Sequence, residues 1–223
     1  MTLWLAIDTS GGTSVAVSRD SDLLAETNFE NPMGHAENIG DAIAQVLSQA
    51  RVKPNEINAV VVGRGPAPFT GLRVGIAAAV AFAEGIGVQL YGVVSQDAIS
   101  LAHLTGELQD AESNESSRLV VRTDARRREE YWSLYSGLNE SGAPQRIEGP
   151  GVASAEAIDE RLSELGEPVR VAQGRVSAGT LAALATLAQK AGQLSTDVSA
   201  LYLRAPDATE PKAQGRVGKS VSG

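Results

Sequence analysis

An α/β fold in two lobes, the second smaller than the first, is what the order of apolar patterns in this sequence predicts. Three observations predict it. Three short apolar strands precede the first helical pattern, strand and helix then alternate, and a shorter passage through the same order follows a polar, acidic break at residues 105–117.

Residues 3–7 form an apolar strand, residues 14–18 alternate Val15 and Val17 with small polar residues, and Gly11-Gly12 supplies the turn of a hairpin. Residues 23–29 read as a third strand. Over residues 36–50, Ile39, Ile43, Val46 and Leu47 recur at helical spacing. A buried strand at 59–62, an alanine-rich helix at 71–84, a strand at 88–93 and a helix at 95–104 complete the first passage. This β-β-β-α-β-α-β-α order is half of an actin-like (ASKHA, ribonuclease H-like) unit, in which a hairpin and third strand extend a sheet whose later strands are joined by helical crossovers. The second passage has strands at 118–123 and 131–135, a helix at 153–165, a strand at 169–172 and a helix at 178–191. The prediction is therefore an actin-like two-lobed fold with a reduced second lobe: residues 1–106, residues 107–205, and a disordered tail at 206–223, which is rich in Pro, Gly, Lys, Arg and Ser without periodicity.

Composition narrows the function. Of 223 residues, 43% are hydrophobic and 21% charged, ordinary globular usage. The formal charge of -8 argues against a broad basic surface for nucleic acid, so any RNA contact is local or made through a partner. The absence of cysteine removes disulfides, thiolate nucleophiles and Cys-ligated metal centres, and a cytoplasmic location is expected. The apolar run at 3–7 is too short for a signal-peptide core, and no stretch approaches a membrane span.

Four motifs bear on chemistry. Asp8, Thr9 and Ser10, followed by Gly11-Gly12, end a strand with an acid and open a hairpin with small residues. Such a turn suits a phosphate with its metal-bound water, or Asp8 simply caps its own turn. The matching position in the second passage, Asp124-Ala125-Arg126-Arg127-Arg128-Glu129-Glu130, has an acid but no glycine to admit a phosphate. Its arginines suit RNA phosphates, although Glu129 and Glu130 favour a solvated charged turn. His35 opens a helix but has Ile39 at i+4, where a second metal ligand would sit, and the other histidine is the distant His103. No metal site is expected. The stretch from Gly63-Arg64-Gly65-Pro66 to Phe69-Thr70-Gly71-Leu72-Arg73-Val74-Gly75 lacks the Gly-Lys-Ser/Thr ending of a P-loop. Thr70 is expected to cap the helix after it. Gly71 and Gly75 clear one helical face, and Ala77, Ala78, Ala79 and Ala81 continue the small-residue theme, for a partner or for this chain's own sheet.

Taken together, Ala6-Ile7-Asp8-Thr9-Ser10, the His35-Ala36-Glu37 helix start, the Gly63-to-Gly75 block, Asp124-Ala125-Arg126 with Glu130-Tyr131-Trp132, and Tyr202-Leu203-Arg204 resemble the bacterial TsaB family. The match covers most of residues 1–136 and weakens after Gln173-Gly174. The resemblance implies a non-catalytic paralogue of the TsaD transferase subunit, without a cofactor of its own. It implies heterodimerisation with that subunit and cooperation with a TsaE-type ATPase. The reaction served is threonylcarbamoylation of the adenosine 3′ of the anticodon in ANN-decoding tRNAs, with tRNA engaged indirectly through the complex. It also implies an interface on the first two long helices, here His35, Ile39, Ile43, Gly71, Leu72, Gly75, Ala78, Ala79 and Phe82, with a homodimer when the chain is alone. Asp8, Thr9 and Ser10 would then be a vestigial phosphate turn. Two other readings stay open: an actin-like ATPase or small-molecule kinase, resting on Asp8, and a metal-dependent peptidase, resting on His35.

Overall fold

The computed structural model describes residues 1–29, 35–106 and 118–204, without the side chains of His35 and Phe69. Most of the expected linker, and the expected tail at 206–223, lie outside the described residues.

Strands β1 (Leu3–Asp8), β2 (Thr13–Arg19), β3 (Asp22–Phe29), β4 (Ala59–Gly63) and β5 (Gln89–Val93) form one sheet in the order β3-β2-β1-β4-β5. The first three are antiparallel, and β4 and β5 run parallel to β1. Period-two alternation divides the strand residues between two cores. Leu5, Ile7, Val15, Val17, Val60 and Val62 face α1 (His35–Ala50) and α2 (Phe69–Ile86), while Trp4, Ala6, Ala16, Ala59 and Val61 face the other way.

The second sheet contains β6 (Leu119–Asp124), β7 (Glu129–Leu138), β8 (Pro144–Ser154) and β9 (Arg170–Ala172), in the order β8-β7-β6-β9. Strand for strand this repeats β3-β2-β1-β4, with β9 parallel to β6 as β4 is to β1. The fold is the predicted actin-like one, and among the described residues its second unit has four strands where the first has five. The remaining α-helices among the described residues are α3 (Ser95–Leu104), α4 (Ala155–Ser163) and α5 (Ala178–Lys190). Helix α3 packs on the second sheet and α5 on the first, so one core joins both units, with Ile99, Leu101, Leu181 and Ala185 between Trp4 and Tyr135. The fully buried Trp4 donates its indole N–H to Thr186 Oγ1 at 3.0 Å. Truncation of such a side chain costs about 3–5 kcal/mol.

Two elements differ from expectation. Strand β8 was not predicted, because Pro144, Gly149, Pro150 and Gly151 break its apolar pattern. It lies at a sheet edge, where proline is tolerated and burial on either face is partial. Helix α2 starts two residues early, at Phe69, with Pro68 at its N-cap and no side-chain cap, so Thr70 lies within the first turn instead of capping it.

Candidate functional site

The hairpin turn at the end of β1 is closed by its own side chains. Asp8 is 1% exposed. Its Oδ1 accepts from the Ser10 amide at 2.8 Å and the Ser10 hydroxyl at 2.5 Å, and its Oδ2 accepts from Ser95 Oγ at 2.6 Å. Ser95 Oγ in turn accepts from the Gly65 amide at 3.0 Å, tying the β4–α2 loop to the start of α3. Gly63 is required for this closeness: a Cβ there would meet Ser95 Oγ at 2.6 Å and Asp8 Cγ at 2.8 Å. Thr9 donates to the Gly71 carbonyl at 2.9 Å, fixing the turn to α2. The cleft beside it, lined by Gly11, Gly12, Asn28, Phe29, Arg175 and Val176 among others, has a cavity volume of only about 20 Å³. That is below the range of about 300–1,000 Å³ usual for small-molecule sites.

The two long helices place the expected interface residues unevenly. Ile39, Leu72, Gly75 and Ala79 are buried in this chain's own interior. Gly75 sits on the β1 turn, where an added Cβ would meet Thr9 Cγ2 at 3.0 Å and Thr9 Cβ at 3.1 Å. This chain's own residues cover these four positions, and packing on the sheet accounts for their small or apolar side chains. Ile43, Gly71, Ala78 and Phe82 are half-buried, and His35 opens α1. The solvent side carries two rows: Ala36, Gly40 and Ala44 on α1, which sequence reading missed, and Ala77, Ala81 and Gly85 on α2, of which only Gly85 was not singled out. Their spacing of four residues was the available signal. A Cβ built on Gly40 or Gly85 meets nothing within 4 Å, so no internal contact requires glycine at either position.

Two arginines of the sequence motifs, Arg64 and Arg73, bind the segment that follows α5, and a third, Arg204, lies at its end and binds the second sheet. Arg64 pairs with Asp197 at 2.8 Å and donates to the Ser199 carbonyl at 2.9 Å, and its own carbonyl accepts from Leu201 N at 2.9 Å. Hydrogen bonds from Ser199, supported by Arg64, hold the Asp197 carboxyl below its ordinary range. Arg73 donates to Tyr202 Oη at 2.9 Å and lies over the ring. Arg204 donates to the Ala125 carbonyl at 2.9 Å and pairs with Glu129. The separated motifs around Arg64, Asp124 and Tyr202 thus form one connected strap.

The β6–β7 turn holds Arg126, Arg127 and Arg128 in the left-handed region, with φ of 63°, 57° and 64°. For residues with a Cβ this costs roughly 1–2 kcal/mol each. Beneath the second sheet, burial raises the Asp97 carboxyl above its ordinary value, opposed by Arg146 at 3.6 Å and the Tyr135 hydroxyl, which donates at 2.7 Å. Among the described residues, no helix is long and apolar enough to cross a membrane.

Comparison with known proteins supplies the context. The family profile described as TsaD, tRNA N6-adenosine threonylcarbamoyltransferase, matches residues 32–190. The protein TsaB of Escherichia coli, a tRNA threonylcarbamoyladenosine biosynthesis protein, is 34% identical over 174 residues, covering 76% of this chain and 71% of that one. An uncharacterized protein of Mycobacterium tuberculosis is 35% identical over 218 residues, 92% of each chain. A crystal structure of a Pseudomonas aeruginosa protein similar to peptidase YeaZ superposes with a TM-score of 0.75 over 92% of this chain and 100% of that one, at 22% identity, and shows the same fold. Sequence motifs, duplicated topology and relatives agree: the chain belongs to the TsaB family, within the broader TsaD threonylcarbamoyltransferase family, and takes part in tRNA threonylcarbamoyladenosine biosynthesis.

Proposed function

We propose that this chain is a non-catalytic scaffold, a cytoplasmic subunit that binds a TsaD-type transferase and is required for threonylcarbamoylation of the adenosine 3′ of the anticodon in ANN-decoding tRNAs. The observation that carries this reading is the closure of the β1 turn. Both Asp8 oxygens are engaged by Ser10 and Ser95, and the equivalent turn of the second unit has three arginines and no glycine. A nucleotide clamp needs open backbone amides and a free carboxylate in both turns.

The proposed contact is the outer side of α1 and α2, the exposed rows at Ala36, Gly40, Ala44 and Ala77, Ala81, Gly85, flanked by half-buried Ile43, Ala78 and Phe82. Small side chains let another helix pair approach closely. Glycine inside a helix costs about 0.5–1 kcal/mol, here without any internal contact in return. Self-association through the same face when the partner is absent, cooperation with a TsaE-type ATPase, and division into lobes at 1–106 and 107–205 belong to this reading.

Reconstitution tests it. Threonylcarbamoylation of tRNA is measured with the transferase, the ATPase and the adenylate-forming enzyme, with this chain present and then omitted. Dependence on the chain, retained by Asp8→Asn at a temperature where the variant is folded, supports the scaffold. Independence, or calorimetric binding of ATP with magnesium by the chain alone, favours the kinase reading.

A further inference from the structure

We infer that the β6–β7 turn is a direct RNA contact, its arginines gripping phosphates of the tRNA on which the complex acts. The adjacent acids, Glu129 and Glu130, are the reason the sequence favours a self-neutralised turn, and the structure pairs them elsewhere. Glu130 is bound by Arg122 at 2.6 Å, and Arg122 also reaches Asp159 at 2.8 Å. Glu129 is bound by Arg204 at the end of the strap. Asp124 is used within the backbone, its Oδ1 accepting from Arg126 N at 2.8 Å. Among the described residues, the side chains of Arg126 and Arg128 take no partner, and all three arginines of the turn are exposed.

The backbone adds an independent argument. Three consecutive non-glycine residues hold a conformation that glycine would adopt without strain, and they are locked there by Ala125 N donating to Glu129 O and Glu129 N to Arg126 O, each at 3.0 Å. Arg204, donating to the Ala125 carbonyl, braces the same turn from the strap. The arrangement spends conformational stability to splay guanidinium groups from a rigid tip, on a chain whose formal charge is -8. A planar guanidinium matches a phosphate in two parallel hydrogen bonds, and a positive tip on an acidic protein confines RNA to one place. RNA is chosen over an acidic protein face because the chain's family modifies tRNA.

The test uses a fluorescein-labelled transcript of an ANN-decoding tRNA, titrated by anisotropy from 50 to 200 mM KCl. Both the full chain and its complex with the transferase subunit are measured. The triple variant R126G/R127G/R128G should keep or raise Tm, since it removes the strain, while tRNA affinity falls about tenfold or more and the salt slope drops by about 2. The triple lysine variant should stay within a few-fold of wild type. Equal affinity and slope for the glycine variant in both settings would overturn the inference. So would loss of co-elution with the transferase at unchanged tRNA affinity, which would make the turn a protein contact. The binding readout does not depend on threonylcarbamoylation, so failure here and failure of the scaffold reading are told apart.

Discussion

Gly40 and Gly75 are both helical glycines on the two helices proposed to meet the transferase, and the structure makes opposite forecasts for them. Gly40→Arg places a side chain into open space, since nothing lies within 4 Å of its Cβ. It replaces glycine with a good helix former, worth about 0.5–1 kcal/mol and, for a chain of this size, a Tm rise of about 2 °C. In the complex, the same side chain would hold two small-residue helices apart and strand a charge between them. A loss of about 3 kcal/mol corresponds to roughly a 150-fold weaker Kd. Gly75→Ala does the reverse: its methyl collides with Thr9, whose hydroxyl fixes the β1 turn to Gly71, and overpacking of this kind costs about 1–3 kcal/mol. Scanning fluorimetry of both variants, with biolayer interferometry against the purified transferase subunit, reads both effects. Wild-type affinity for Gly40→Arg and also for Ala81→Arg would refute this face as the interface.

Three further outcomes follow from the buried and strapped groups. Asp8→Ala leaves the buried Ser95 hydroxyl without its acceptor and should cost about 3 kcal/mol in urea unfolding, with Asp8→Asn costing about half; a loss under 1 kcal/mol for Asp8→Ala would show that the network does not hold the turn. Asp97 has a raised folded-state pKa from burial, so its stabilising contribution is fully present below the ordinary value of 3.8 and is lost as pH rises through the raised value. The stability difference between wild type and Asp97→Asn should therefore shrink from pH 3.5 upward, and a difference that grows with pH would contradict the assignment. Arg64→Ala removes two strap contacts, so hydrogen exchange in residues 193–204 should quicken about 5- to 30-fold, and unchanged exchange would mean the strap is held by other bonds.

Much of the first unit was legible because β1 and β4 are apolar on both faces, β2 alternates Val15 and Val17 with small residues, and α1 carries its apolar residues at helical spacing. Leu5 and Ile7 alternate with Trp4 and Ala6 between two cores, and either face alone would suffice to mark a strand. Strand β8 offered no such signal, since an edge strand in partial contact needs no apolar face. The burial of Gly75 and Ala79 was not legible for a related reason: a glycine or alanine on a helix is equally suited to its own sheet and to a partner. Gly75 and Gly40 are indistinguishable by residue type and differ only in what lies opposite the missing Cβ. Ser95 was out of reach because the acid it satisfies is far away in sequence.

The duplication extends to the chemistry of the two turns and separates their present roles. In both units the first strand ends in an aspartate whose Oδ1 accepts from the amide two residues on, Ser10 after Asp8 and Arg126 after Asp124, each at 2.8 Å. From this shared Asx turn the units diverge. The first continues with serine and glycine, lies against α2, and is sealed by Ser95 from α3, so its carboxylate is spent on holding the lobe together. The second continues with three arginines, is braced from outside by Arg204, and directs its charge to solvent. A pair of facing turns able to hold a nucleotide between them would need both to be small, open and similar. Here one turn is a structural lock and the other an exposed cationic tip, an asymmetry that supports the proposed placement of the functional surface on the exterior of the molecule rather than in the cleft between the units.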